Sequence, residues 1–250
     1  MTLEELYKEI MAQLKKSADP VAASRNTEKA ERFNINHKYY GLTGEVLRDL
    51  ITQYEGQFSQ LELIERFHLI RMFYCSGISE QIAFGDTIMV NSLDEISPSH
   101  FEYLEDITDC LSNWGDTDWF ASRITQPLLL KYPEETLSFM RDLNSSENMW
   151  KRRLSVVTFT RKIGESGKFT EEALELCNNL IWDTEDLVRK GVGWALKDTM
   201  RGAKKRVLEY VKSLRGKGVS SVITLYAIRD LKGEERREVL AVKQKETNEE

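Results

Sequence analysis

Three stretches decide the fold: residues 113–124, NWGDTDWFASRI; residues 149–160, MWKRRLSVVTFT; and residues 186–197, DLVRKGVGWALK. Each opens a helix with a bulky residue, continues with polar residues and ends in an apolar stripe at helical spacing. Trp114, Trp150 and Leu187 hold matching places, 36 and 37 residues apart. That period falls in the range of two-helix solenoid repeats. A helix pair cannot bury its apolar face alone, so neighbours stack and curve around an extended surface. The expected fold is all-α: a right-handed α-solenoid of helix pairs with a concave groove.

Outward from these stretches the signals stay helical. Thr2-Leu3-Glu4-Glu5 and Ser59-Gln60-Leu61-Glu62 read as capping boxes, each leading into apolar residues at three- and four-residue spacing. Ser99, Asp116 and Thr170 read as further helix starts, and Pro98 and Pro133 sit where helices begin. No sustained period-two alternation and no Asn-Gly or Asp-Gly hairpin signal is present. Short glycine-containing breaks at 41–44, 164–167 and 216–218 punctuate the helices without a long linker. The expected organisation is one helical domain over 1–245, with a frayed tail at 246–250.

Composition narrows the function. Hydrophobic residues make up 41% and charged residues 30%, the balance of a soluble globular chain. No apolar run approaches the ~18 residues of a membrane span, and the acidic, amphipathic start does not read as a secretory signal. Cys75, Cys110 and Cys177 are odd in number and fit no zinc or disulfide spacing, which points to a reducing cytoplasm. His37, His68 and His100 are equally scattered, so neither a metal nor a cofactor is expected.

The net charge of −6 argues against a nucleic-acid partner, but its distribution argues for one. Residues 1–150 carry −12 and residues 151–250 carry +6. Between Arg189 and Lys217 lie ten basic residues, among them Lys190, Lys197, Arg201, Lys204 and Lys205, opposed within the stretch only by Asp198 and Glu209. A charge run is ordinarily a solvated helical face; an imbalance this dense reads as a phosphate-binding end.

All five tryptophans fall between residues 114 and 194. Trp114 and Asp118 are four apart, so a helix puts them on one face, and Trp150–Arg153 and Trp194–Lys197 are three apart. A tryptophan in a helical repeat is usually core. Three aromatic–polar pairs on three successive repeats are harder to explain by packing alone.

These residues also carry a resemblance. Residues 113–118 (NWGDTD), 148–153 (NMWKRR) and 190–197 (KGVGWALK) resemble the bacterial HEAT-like-repeat DNA alkylation repair glycosylases, the AlkD family. The likeness is close over the second half of the chain and thin before residue 100. It implies an enzyme that removes N3- or N7-alkylated purines from double-stranded DNA; a monomer is expected because a helical array needs no partner to close its core. Residue by residue, Asp118 matches the family's catalytic aspartate, and Trp114 and Trp194 match two tryptophans that pack against the deoxyribose. Arg153 matches an arginine that holds the backbone phosphate. Lys197 stands where some members have arginine. Phe33 falls near an N-terminal aromatic position, and Asp116 is the rival carboxylate two residues away. The chemistry suits these residue types. An alkylated purine is already cationic and leaves readily, so one carboxylate that opposes charge growing on the sugar is enough, with aromatic faces to attract the cation. Two other readings use the same features: a DNA-binding relative without catalysis, and a protein-interaction scaffold.

Overall fold

In the computed structural model, residues 2–243 are described. The frayed tail expected at 246–250 lies outside them. The chain is an all-helical assembly of helical repeats. Among the described residues the only strand-like pairing is one isolated bridge, Lys38 to Ile78. Packing separates two compact units, Met1–Asp116 and Thr117–Glu250.

The first unit begins with the helix Leu3–Lys16, capped as its sequence dictates. Glu5 N–H donates to Thr2 Oγ1 at 3.2 Å, and Thr2 N–H donates back to Glu5 at 2.8 Å. Leu6, Ile10 and Leu14 form its buried stripe. The helix Leu63–Tyr74 packs against Ser79–Ser92 and Phe101–Thr108. Its Phe67 and Phe73 are buried, with Tyr54, Phe58 and Phe84 from neighbouring helices. Several boundaries differ from expectation. Ser59 opens no helix; it closes Gly44–Phe58, donating to the Gly56 carbonyl, and the next helix starts at Leu63 with Glu65 accepting from the Glu62 N–H at 3.0 Å. Ser99 lies within a short 3-10 turn, Pro98–His100, ahead of the helix proper.

The cysteines overturn a sequence expectation. Cys75 and Cys110 are joined by a disulfide, with Cα atoms 4.8 Å apart, while Cys177 is free and buried. Cys75 caps Leu63–Tyr74 and Cys110 follows Phe101–Thr108, two helices that pack together. Adjacency of helix ends, invisible to spacing, makes the pair. The cysteine-based argument for a reducing compartment goes with it.

A segment without helix, residues 35–42, is fastened along this unit. Lys38 N–H donates to the Gly77 carbonyl and Ser79 N–H to the Lys38 carbonyl, both at 2.9 Å. The buried Glu80 carboxylate accepts the N–H groups of Tyr40, Gly41 and Leu42 at 3.0, 2.8 and 3.2 Å. Gly41 has φ +85°, and a Cβ there would collide with the backbone of Asp19 and Ala23, so glycine is required.

In the second unit the helix Asp186–Gly202 is the centre. It packs against Met149–Val157, Arg161–Glu165, Thr170–Asn179, Lys204–Gly216 and Ser221–Ala227. Gly164 lets Arg161–Glu165 press onto it: an added Cβ would lie 2.8 Å from Thr199 N and 2.9 Å from the Asp198 carbonyl carbon. The repeat period reappears as ion pairs between positions about one repeat apart. Asp118 meets Arg153, Arg141 meets Glu175, Glu165 meets Arg201 and Glu171 meets Arg206. These partners lie 34–36 residues apart in sequence.

One helical turn in this unit is widened. Across Ala121–Thr125 the winding loosens, and Gln126 N–H reaches the Ala121 carbonyl five residues back. Pro127 supplies the cause: it has no N–H to give and its ring crowds the carbonyl four residues earlier. The Gln126 side chain then donates to the carbonyls of Thr158 and Thr160 at 3.1 and 3.0 Å.

Candidate active site

Asp118, Arg153, Trp194 and Lys197 belong to the second unit; Phe33, Trp114 and Asp116 belong to the first. In the second unit, Asp118 is held by a forked pair with Arg153. Nε and Nη2 of Arg153 donate to the two carboxylate oxygens at 3.0 and 2.9 Å. The third donor, Nη1, binds the Leu187 carbonyl at 2.5 Å. The Asp118 side chain is 12% exposed and that of Arg153 6%. Arg153 thus projects from Met149–Val157 and ties Asp118 to the first turn of Asp186–Gly202. Each of its three nitrogens donates inside the protein, so here it faces Asp118 and not solvent. Burial pushes the Asp118 carboxyl above its ordinary range, while the charge and hydrogen bonds of Arg153 and the charge of Arg161 oppose that rise.

Arg161 is a residue the sequence reading missed. Its guanidinium lies over the indole of Trp194, 5.5 Å from the ring centroid, a cation–π contact. Its backbone is left-handed, φ +55°, and its N–H donates to Asp198 Oδ2 at 2.7 Å. Asp198, 2% exposed, also lies 3.2 Å from the Lys197 ammonium and 3.5 Å from Arg201. Nothing in an Arg-Lys pair after a threonine announces a left-handed backbone, so no sequence signal was available.

The basic stretch is far less bare than its local count implies. Lys190 pairs with Asp186, Lys204 with Glu235, Arg206 with Glu171 and Lys212 with Glu238. Arg201 is gripped by Glu165 and Asp230, each at 2.5 Å, and Lys197 lies 4.0 Å from Asp230. Lys197, Arg201, Lys204 and Asp230 line a cavity of about 290 Å³ floored by Met200 and Leu231. Lys205 is exposed and makes no ion pair among the described residues. The reading of ten nearly unopposed charges is therefore corrected: acids outside the stretch pair with most of them.

In the first unit, the Trp114 indole N–H donates to the Phe33 carbonyl at 2.8 Å, and Phe33 is 56% exposed. Asp116 is not a helix start. The helix begins at Trp114, and Asn113 Oδ1 accepts the Asp116 N–H at 3.1 Å. The Asp116 carboxylate is bound by His37 Nε2 and by Asn113 Nδ2, both at 2.7 Å. His37 and Asn113 are buried and were not singled out by sequence. Nearby, Tyr74 donates to Asp86 at 2.5 Å. Burial chiefly, with the Asp116 charge, pushes Asp86 up to about 7, while its bond from Tyr74 and the charge of His37 pull the other way.

Among the described residues no group of three or more His, Cys, Asp or Glu side chains is placed to hold a metal. No helix there is long and apolar enough to cross a membrane.

The second unit of this all-helical repeat chain thus holds a partly buried, arginine-clamped carboxylate and a tryptophan that carries an arginine on its ring. The model of the DNA alkylation repair enzyme family matches residues 10–231, and the chain belongs to that family. A predicted DNA alkylation repair enzyme from Enterococcus faecalis has a similar fold, with a TM-score of 0.65 at 15% identity over 86% of this chain and 97% of that one. No curated protein matches the sequence.

Proposed function

We propose that this chain is a DNA glycosylase that hydrolyses the N-glycosidic bond of cationic N3- or N7-alkylpurines in double-stranded DNA. The observation that carries the reading is the Asp118 carboxylate, nearly buried and fixed by both faces of its Arg153 fork. A carboxylate fixed before reaction need not reorganise as positive charge grows on the sugar, and in a site of low polarity its effect is large. Asp118 opposes that charge and orients the attacking water. Arg153 positions Asp118, and Trp194 offers an aromatic face to the sugar. No general acid is needed, because the alkylated base leaves without protonation, unlike the neutral sugar of ordinary glycosides.

Lys197, Lys190, Arg201, Lys204 and Lys205 supply the phosphate contacts. Lys190, Arg201 and Lys204 exchange carboxylate for phosphate, which their exposed pairs allow because each is worth only about 0–1 kcal/mol. The protein acts as a monomer, as one domain, in the cytoplasm, where the chromosome lies. Release of 7-methylguanine or 3-methyladenine from methylated duplex, by the wild type and by Asp118→Asn, tests the reading. Excision by the wild type and its loss in the variant supports it. DNA binding with no excision by the wild type replaces it with a non-catalytic binder.

A further inference from the structure

Arg161 is placed in an unusual way for a surface cation. Its backbone is locked, since the left-handed region costs a side-chain-bearing residue about 1–2 kcal/mol and the buried Asp198 carboxylate holds its N–H in that geometry. Its side chain is exposed and makes no ion pair among the described residues. Among the described residues, the guanidinium rests on the face of Trp194. Its charge also reaches Asp118, where it works against the effect of burial. One positive group thus sits on an aromatic plane and acts on a fixed carboxylate. Those are the two interactions that a cationic alkylpurine nucleotide, or the oxocarbenium-like sugar derived from it, would make there.

Two positive charges cannot share that face at low cost. We propose that Arg161 is an internal stand-in for the substrate's positive charge, seated on Trp194 in the free protein and displaced when a cationic nucleotide enters. This rests on the glycosylase reading of Asp118 and Trp194. The locked backbone serves as a pivot, and the free side chain swings outward to solvent or a DNA phosphate. The resident cation keeps the empty site balanced in charge, and its departure couples entry of the lesion to a new contact outside.

The test compares two duplexes, one with a cationic pyrrolidine in place of a single deoxyribose and one with neutral tetrahydrofuran there. Their affinities for wild type, Arg161→Lys, Arg161→Gln and Arg161→Gly are measured at fixed salt. The glycine variant accepts the left-handed backbone without strain, so misfolding does not confuse the result. The preference for the cationic over the neutral duplex should rise about tenfold in Arg161→Gln and Arg161→Gly, on the scale of one released cation–π contact. Arg161→Lys, which keeps a cation, should stay within about threefold of wild type, lysine serving as a partial replacement. An unchanged preference, with both duplexes weakened alike, would overturn the proposal and leave Arg161 as a phosphate contact. Excision of 7-methylguanine by the same wild-type preparation separates the two readings. If excision is present and the preference does not move, only the stand-in role fails. If excision is absent and wild type shows no preference for the cationic duplex, the glycosylase reading fails and takes this proposal with it.

Discussion

Asp86 makes the first unit sensitive to pH. Its carboxyl sits beside Tyr74 and is pushed from 3.8 up to about 7, chiefly by burial. The folded state therefore holds the proton more tightly than the unfolded chain, so this group's stabilisation is complete below the unfolded value of 3.8 and is lost as pH rises through about 7. Between pH 5 and pH 8, linkage gives a loss of roughly 2.5 kcal/mol from this residue, and that is an upper figure because a half-buried site is partly screened. The perturbation is Asp86→Asn, which keeps an oxygen to accept the Tyr74 hydroxyl and removes the titration. Denaturant melts of wild type and variant at pH 5, 6, 7 and 8 measure it. Wild type should lose stability relative to the variant as pH rises, most steeply between pH 5 and 7. A difference that is flat across that range, or that grows in favour of wild type toward pH 8, would refute the assignment of a protonated carboxyl to this site.

Asp118→Asn should cut excision on the order of 10²-fold or more while leaving DNA affinity nearly intact, read by single-turnover release and by equilibrium binding. Because burial lifts the Asp118 carboxyl, wild-type excision should fall off on the acid side at a pH above the ordinary carboxylate range, and a profile flat down to pH 4 would contradict its role as an anion. Asp230→Asn should take one carboxylate from Lys197 and Arg201, which keep Asp198 and Glu165, strengthening binding to undamaged duplex several-fold at low salt and steepening the log–log salt slope by ~0.9; no change would mean this cavity does not meet DNA. Cys75→Ser removes a crosslink spanning 35 residues and should cost about 2–4 kcal/mol, with reductant doing the same to wild type; melting indifferent to reductant would show that the bridge contributes nothing in solution.

Local signals were read best where one segment settles its own structure. The Thr2–Glu5 box closes on itself within four residues, so its sequence suffices. The box at Ser59 failed for the same local reason: a second spaced pair, Glu62 and Glu65, lies three residues on and takes the helix start. The family resemblance pointed to Asp118, Arg153 and Trp194, and these are found in one unit with Asp118 and Arg153 in contact. What the chain concealed are meetings between repeats. Arg201 looked unopposed because its acids, Glu165 and Asp230, lie 36 residues before it and 29 after. Cys75 and Cys110 are 35 apart, again about one repeat. In a stacked array the neighbour that matters is one period away, and a charge count over a short window cannot see it.

The widened turn at Ala121–Thr125 governs how this protein tolerates change in length. A regular helix advances each residue by about 100° around its axis, and the loosened turn carries one residue more than that winding would hold. Deleting Ser122 would let the helix close to regular winding, but only by rotating everything on one side against the other. Gln126 is anchored downstream to Thr158 and Thr160, so the rotation would fall upstream and swing Asp118 away from Arg153. A one-residue loss that a surface loop would absorb would here disconnect the carboxylate from its clamp, and relatives that differ by one residue in this turn will have their inward-facing positions misassigned by any gapless alignment.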